Sequence, residues 1–362
     1  MRGFSREELL VNVRQDIRFC TAPDGVKLAS ACYGSGPPLV RAATWLTHVE
    51  RDPTSAFNSS WIREFSRDHR YVTYDERGCG LSSRNPPEIS FESWVSDLET
   101  VVDTLGLETF PLLGMSQGAG IAIAYAARHP ERVSRLVLFG GFATAYFSTR
   151  NPDPRIREEA EMLIKLIELG WGRGSAAFRQ VFVAKFMPQA TAQQQHDFDE
   201  YSLATASPEV AARITRVNFG INVKEQAAQV RCPTLVLHSR GDQLIGFDQG
   251  RKLAGLIPGA RFVPVESANH IPMSHEPCFI GVVQEIKDFL GDSPAGGGRL
   301  TPRQVEVLRA VAAGMTDKQI ARDLDLSPRT VEMHVAGALK ALGCATRAEA
   351  VHRAGASGLL KP

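Results

Sequence analysis

The chain has no apolar run of about 18 residues, the length that crosses a bilayer, so no membrane span is expected. Its densest apolar stretch, Ile121–Ala127, is short and reads as a buried helix. Nor is a leader expected, because Glu7, Glu8, Arg14 and Asp16 interrupt Met1–Phe19 where a signal peptide has its apolar core. The six cysteines, Cys20, Cys32, Cys79, Cys232, Cys278 and Cys344, stand far apart and form no C-x-x-C pair. That pattern speaks against structural zinc and for a reducing, cytoplasmic setting. No metal and no cofactor is expected. Repeats are absent, and an excess of one charge sign is missing too, the net charge being +1.

What is present is an ordinary soluble composition, 43% hydrophobic and 22% charged over 362 residues, enough for roughly two to three domains. The clearest break is Gly291-Asp292-Ser293-Pro294-Ala295-Gly296-Gly297-Gly298, which has linker composition and follows the apolar, helical segment Phe279–Leu290. This divides the chain into residues 1–290, a linker at 291–298 and residues 299–362. The charge divides with it. From Arg299 onward ten Lys and Arg face six Asp and Glu, about +4, which leaves about −3 on the body. A basic appendage suits DNA, whose phosphates supply most of the affinity, though charge alone does not decide it.

In the body, short apolar runs at Leu39–Ala43, Arg70–Tyr74, Phe110–Leu113, Leu136–Phe139, Thr234–His238 and Arg261–Val265 read as strands. Helical patterns such as Ser93–Leu105 and Gly118–Arg128 separate them, so an α/β fold with a mostly parallel sheet is expected. Between Gly140 and Val230 the strand signal gives way to helical stretches near Arg155–Leu169 and Ala190–Leu203. An insertion of that kind would cap a pocket.

The chemistry-bearing residues fall where such a sheet ends. Gly114-Met115-Ser116-Gln117-Gly118 joins a strand to a helix. The two glycines remove side chains from a strained turn, and the helix start faces a developing oxyanion. Asp242 follows the strand Thr234–His238, and His270 follows Arg261–Val265. Ser116 is a poor nucleophile unless His270 takes its proton, and Asp242 would fix the imidazole tautomer.

With Pro37-Pro38-Leu39-Val40, the loop Asp75-Glu76-Arg77-Gly78-Cys79-Gly80-Leu81-Ser82 and His129-Pro130-Glu131-Arg132, residues from about Asp16 to Leu290 resemble the α/β-hydrolase family. The resemblance implies a Ser116–Asp242–His270 triad and a helical cap at about 141–225. It also implies an oxyanion hole from the N–H groups of Gln117 and Trp45. One departure stands out: Ala43-Thr44 replaces the family's His-Gly. Losing one oxyanion donor lowers rate by about 100- to 1000-fold, so the family's fold also admits a receptor that turns over slowly. Trp45, Phe142, Tyr146 and Phe147 are candidates for the pocket wall or for cap packing. His48 and Arg51 are candidates for meeting a ligand carboxylate.

In the tail, Thr301 and Thr316 precede Gln304 and Gln319 at capping-box spacing, and Ser327-Pro328 opens a third helix. On a helical wheel Val331, Val335, Ala338 and Leu342 share one face, with Arg329, Met333, Ala336 and Lys340 opposite and Glu332 at the edge. Leu300-Thr301-Pro302-Arg303-Gln304, Gly314–Ala321 and Leu326–Val335 resemble the LuxR-type helix-turn-helix along essentially the whole tail. The resemblance implies double-stranded DNA as partner, with the third helix in the major groove. Lys318, Arg329, Thr330 and Lys340 would meet the backbone, and Glu332, Met333 and Ala336 would face bases.

Two readings follow. In one, a DNA-binding regulator, expected as a homodimer, senses a small apolar ligand through its hydrolase-fold domain, with slow hydrolysis open. In the other, the chain is an active serine hydrolase of esterase or lactonase type carrying a fused DNA-binding module. A third, that the hydrolase fold only dimerises, stays behind them.

Overall fold

The computed structural model describes residues 14–148, 154–171, 183–291, 300, 302–324, 326–342, 344 and 346–356. The expected linker lies outside these residues apart from Gly291, as does the capping candidate Thr301. By Cα proximity the chain divides into two compact units between Gln284 and Glu285.

The first unit is an eight-stranded sheet in the order β1-β2-β4-β3-β5-β6-β7-β8. Its strands are β1 Gln15–Thr21, β2 Lys27–Tyr33, β3 Pro38–Arg41, β4 Arg70–Tyr74, β5 Phe110–Met115, β6 Val133–Phe139, β7 Thr234–Ser239 and β8 Arg261–Val265. All pairs from β4 to β8 are parallel, whereas β1–β2 and β2–β4 are antiparallel. The central strands are apolar on both faces because helices cover both. On one side α2 (Phe91–Thr104) and α3 (Gln117–Arg128) bury Trp94, Leu98 and Ile121, and on the other α1 (Ser59–Phe65) buries Trp61 against Phe279 of α9 (Phe279–Leu290). Between β6 and β7 come α4 (Pro154–Gly170), α5 (Ala192–Thr205), α6 (Pro208–Asn218) and α7 (Lys224–Gln229). Capping boxes at Ser90 and Thr191 start α2 and α5, and Ser207 caps α6. Helix α8 (Phe247–Leu256) links β7 to β8.

The hairpin β1–β2 escaped the sequence reading. Its first strand carries Asp16, Arg18 and Cys20 and is mostly exposed at the sheet edge, so no apolar run marks it. Its turn rests on Gly25, at φ +85°.

The second unit contains α10 (Pro302–Ala312), α11 (Asp317–Asp323), α12 (Pro328–Leu342) and α13 (Arg347–Ala356). Val331, Val335, Ala338 and Leu342 are all buried, packed with Val307, Leu308 and Ile320. Gln319 Oε1 accepts from Thr316 N–H at the start of α11, and Ser327 Oγ from Thr330 N–H at the start of α12. Among the described residues no helix is long and apolar enough to cross a membrane.

Candidate functional site

Strand β5 delivers Ser116 to the end of the sheet, where its N–H donates to Phe139 O of β6 at 2.8 Å. Ser116 takes φ +52°, a conformation unusual for a residue with a Cβ and held here by the turn into α3. The glycines around it make room for packing, not for the serine. A Cβ on Gly114 would lie 2.7 Å from Ala119 Cα, and one on Gly118 would lie 2.6 Å from Ala43 O. The loop that follows β3 is therefore pressed against the first turn of α3.

Asp242 and His270 meet. His270 Nδ1 lies 2.6 Å from Asp242 Oδ2, both side chains fully buried. Asp242 Oδ1 accepts the N–H groups of Leu244 and Ile245 at 2.9 Å each. Burial acts to raise the Asp242 carboxyl, but His270, His238 and these N–H groups prevail and hold it below the ordinary range. An ionised carboxylate at Nδ1 leaves Nε2 to act as base, and His270 Nε2 is buried without a hydrogen-bond partner. Gly140, next to the Phe139 carbonyl that holds Ser116, lies against the imidazole. A Cβ there would be 2.8 Å from His270 Cε1.

His238 was not foreseen. Its Nε2 sits 2.7 Å from Ile245 O and 3.2 Å from Asp242 Oδ2. It is the last-but-one residue of a uniformly buried strand, so only the spacing of four to Asp242 marks it. Asp242→Asn is expected to lower any hydrolytic kcat by about four orders of magnitude, because the wrong histidine tautomer then faces Ser116. Steady-state ester kinetics check this.

The proposed oxyanion donors stand on two elements. Gln117 opens α3 and is wholly buried, so its N–H has no acceptor within that helix. Trp45 lies on the loop after β3, half-buried, with its Nε1–H on Thr215 Oγ1 at 3.2 Å and its ring 5.5 Å from Trp171. The next residue, Leu46, is at φ +62°. Glu76 ties these elements together. Its N–H donates to Thr47 Oγ1 at 2.8 Å, and its Oε1 accepts from Gln117 Nε2 at 2.8 Å. Its neighbour Asp75 takes the N–H groups of Val49 and Leu81, each at 2.7 Å, and a Cβ on Gly80 would strike that carboxylate. Arg77 forms a buried double hydrogen bond to Asp97 of α2. The loop motif thus clamps the loop after β3 to the start of α3.

Burial pushes the Glu76 carboxyl well up despite the Gln117 hydrogen bond. The neutral acid brings one O–H, and Gln117 Oε1 beside it is a buried acceptor without a partner. The folded chain holds a proton there that the unfolded chain releases above about pH 4.5. This stabilisation is complete below that pH and is lost as pH rises through the folded value. Glu76→Gln is expected to keep the fold and flatten the alkaline loss of stability in urea titrations.

A cavity of about 480 Å³ opens beside Ser116. Trp45, Phe142 and Tyr146 line it, as do Phe198 and Met273. Phe147 does not line it and packs on Phe219 instead, 5.8 Å between rings. His48 and Arg51 are not on its wall either. His48 is buried elsewhere and Arg51 is exposed, because the loop that carries them turns away into a 3-10 turn at Asp52–Thr54. No group of three or more metal-ligating side chains gathers among the described residues.

In the second unit Lys318, Glu332, Met333 and Ala336 are exposed, Met333 at 66%, and Thr330 is half-buried. Arg329 and Lys340 lie on α12, and their side chains are outside the described residues. Asp317 pairs with Arg347 through two hydrogen bonds of 2.5 and 2.8 Å, tying α11 to α13.

A nucleophile turn, a buried Asp–His pair and a capped pocket on a mostly parallel sheet define the α/β-hydrolase class. The family model described as alpha/beta hydrolase fold matches residues 53–277, and the chain belongs to that family. It is joined to a LuxR-type helix-turn-helix, since the model described as bacterial regulatory proteins, luxR family, matches residues 299–354. The chain is 29% identical over 280 residues to the 2-hydroxymuconate semialdehyde hydrolase of a Pseudomonas species, covering 73% of this chain and 86% of that protein. It is 25% identical over 240 residues to the pyrrolizixenacetamide deacetylase of Xenorhabdus hominickii, covering 65% and 85%. Among solved structures, a hydrolase from Pseudomonas aeruginosa superposes with a TM-score of 0.63 at 20% identity, covering 76% of this chain and 98% of that one. At that identity the likeness speaks for the fold alone.

Proposed function

We propose that the protein is a DNA-binding regulator whose hydrolase-fold domain, residues 1–290 with a cap at about 141–225, takes up a small, largely apolar acyl compound. Residues 291–298 act as linker and 299–362 as the DNA-binding domain. The observation that carries this reading is a capped cavity with Ser116 on its wall, in one chain with a helix-turn-helix. The buried Asp242–His270 pair supports slow hydrolysis there, with Ser116 as nucleophile and Gln117 and Trp45 as oxyanion donors. The relatives' names support acyl chemistry, one being a deacetylase. The chain acts in the cytoplasm as a homodimer, because one recognition helix reads too few bases for a specific site.

On α12, Glu332 accepts from a cytosine amine and Met333 meets a thymine methyl, while Lys318, Arg329, Thr330 and Lys340 hold phosphates and Ala336 leaves room for a base edge. Selection of duplexes from a random library tests this half. A bound motif with paired half-sites about one helical turn apart is expected, and no enrichment would contradict it. Glu332→Ala is expected to weaken the selected site by about 1–3 kcal/mol relative to random DNA, read by competition binding.

A further inference from the structure

Arg41 is a cation on an otherwise apolar strand next to the oxyanion loop. Its side chain is 2% exposed, and that of its partner Asp52 is 0% exposed. The guanidinium lies beside the buried Tyr71 hydroxyl and still has one donor unmet. Nη1 donates to Asn58 Oδ1 at 3.0 Å and Nη2 to Asp52 Oδ2 at 3.3 Å, while Nε has no acceptor. A guanidinium offers five N–H donors, and an unmet donor on a buried cation is costly. Asp52, by contrast, is well supplied, since its Oδ1 also accepts from the Tyr201 hydroxyl at 2.6 Å and Asn58 Nδ2 at 3.0 Å.

The cavity wall has the matching asymmetry. Arg41, Asn58 and Tyr201 line the cavity that Ser116 lines, and Lys185 lines it too. Asp52 does not, nor does any other Asp or Glu among the described residues. The cations on this apolar wall are the exposed Lys185 and the buried Arg41, whose ion-pair partner Asp52 stands behind the wall, so the polar groups turned to the chamber suit an anion.

We propose that the cavity binds a carboxylate at Arg41, so that the ligand is an apolar acyl compound carrying a carboxylate apart from the acyl bond offered to Ser116. The planar fork of arginine suits two carboxylate oxygens, which lysine would not match. Asp52 remains close to the incoming anion. Burial already raises its carboxyl above the ordinary range, which eases a second acid beside it. The proposal rests on the reading of this cavity as the ligand site.

The test is calorimetric titration of the full-length Ser116→Ala chain with 5-phenylpentanoate and with 5-phenylpentanamide. The acid is expected to bind at least about tenfold tighter than the amide. Arg41→Met alone strands Asp52 as a buried charge, so the informative protein is the double variant Arg41→Gln, Asp52→Asn, checked by thermal melting. In it the two affinities should come within about twofold of one another, the amide's being unchanged. Equal binding by the Ser116→Ala chain, or an acid preference that survives in the double variant, overturns the proposal and leaves the cavity reading intact. Binding of neither compound overturns both.

Discussion

Ser116→Ala and His270→Ala are each expected to remove p-nitrophenyl ester turnover and fluorophosphonate labelling. The loss in kcat should be of the order of 10⁴-fold or more, with circular dichroism and melting temperature little changed. The two variants should fail alike, because the serine and the imidazole act as one unit. His270 is positioned for the task by its 2.6 Å contact with Asp242 and by its unpartnered Nε2. The starting rate should be modest, since Thr44 and Trp45 stand where the family has a looser, glycine-bearing oxyanion loop. Measuring kcat and probe labelling on the same preparations separates an armed nucleophile from a pocket that merely holds its ligand. Labelling that persists in Ser116→Ala would place the reactive group elsewhere.

Gly118→Ala is expected to damage fold and site together. Its Cβ would sit 2.6 Å from Ala43 O and 3.1 Å from Ala42 O, both backbone atoms at the end of a central strand. No side chain can swing aside, so α3 and the loop after β3 must part. Overpacking of this kind costs about 1–3 kcal/mol, and the same movement separates the N–H of Gln117 from that of Trp45. Turnover should fall by about 100-fold or more beyond any loss of folded protein. Gly255 is the contrast. It lies exposed in α8 with nothing within 4 Å of a Cβ, and Gly255→Ala should stabilise by about 0.5–1 kcal/mol. Chemical denaturation of the two variants reads both signs.

Much of this was legible in the residues. Parallel strands buried on both faces read as short apolar runs, and six of the eight were visible that way. The elbow, the later Asp and the later His each follow a strand end, and the order along the chain already pointed to the pairing of Asp242 with His270. The wheel of α12 separated its buried residues from Met333 because one period governs a short amphipathic helix. What stayed hidden depends on tertiary neighbours. His238 lies within an apolar strand, and its role comes from Asp242 folding back beside it. Arg41 looked like an ordinary strand residue, while His48 and Arg51, further along the loop, drew the carboxylate reading that the cavity wall gives to Arg41. Glu76 gave no sign of a role within its loop, and only the fold sets it between Thr47 and Gln117.

On the proposed reading, occupancy of the Ser116 cavity sets DNA binding by the helix-turn-helix. The most direct measurement is the affinity of the full-length chain for its selected duplex, at fixed salt, before and after complete fluorophosphonate labelling of Ser116. A change of about fivefold or more in either direction, absent when Ser116→Ala is given the same treatment, is the predicted result. Equal affinity of the labelled and unlabelled chains, together with unchanged affinity across a series of acyl ligands, would contradict it and leave two modules that share a chain without sharing a signal.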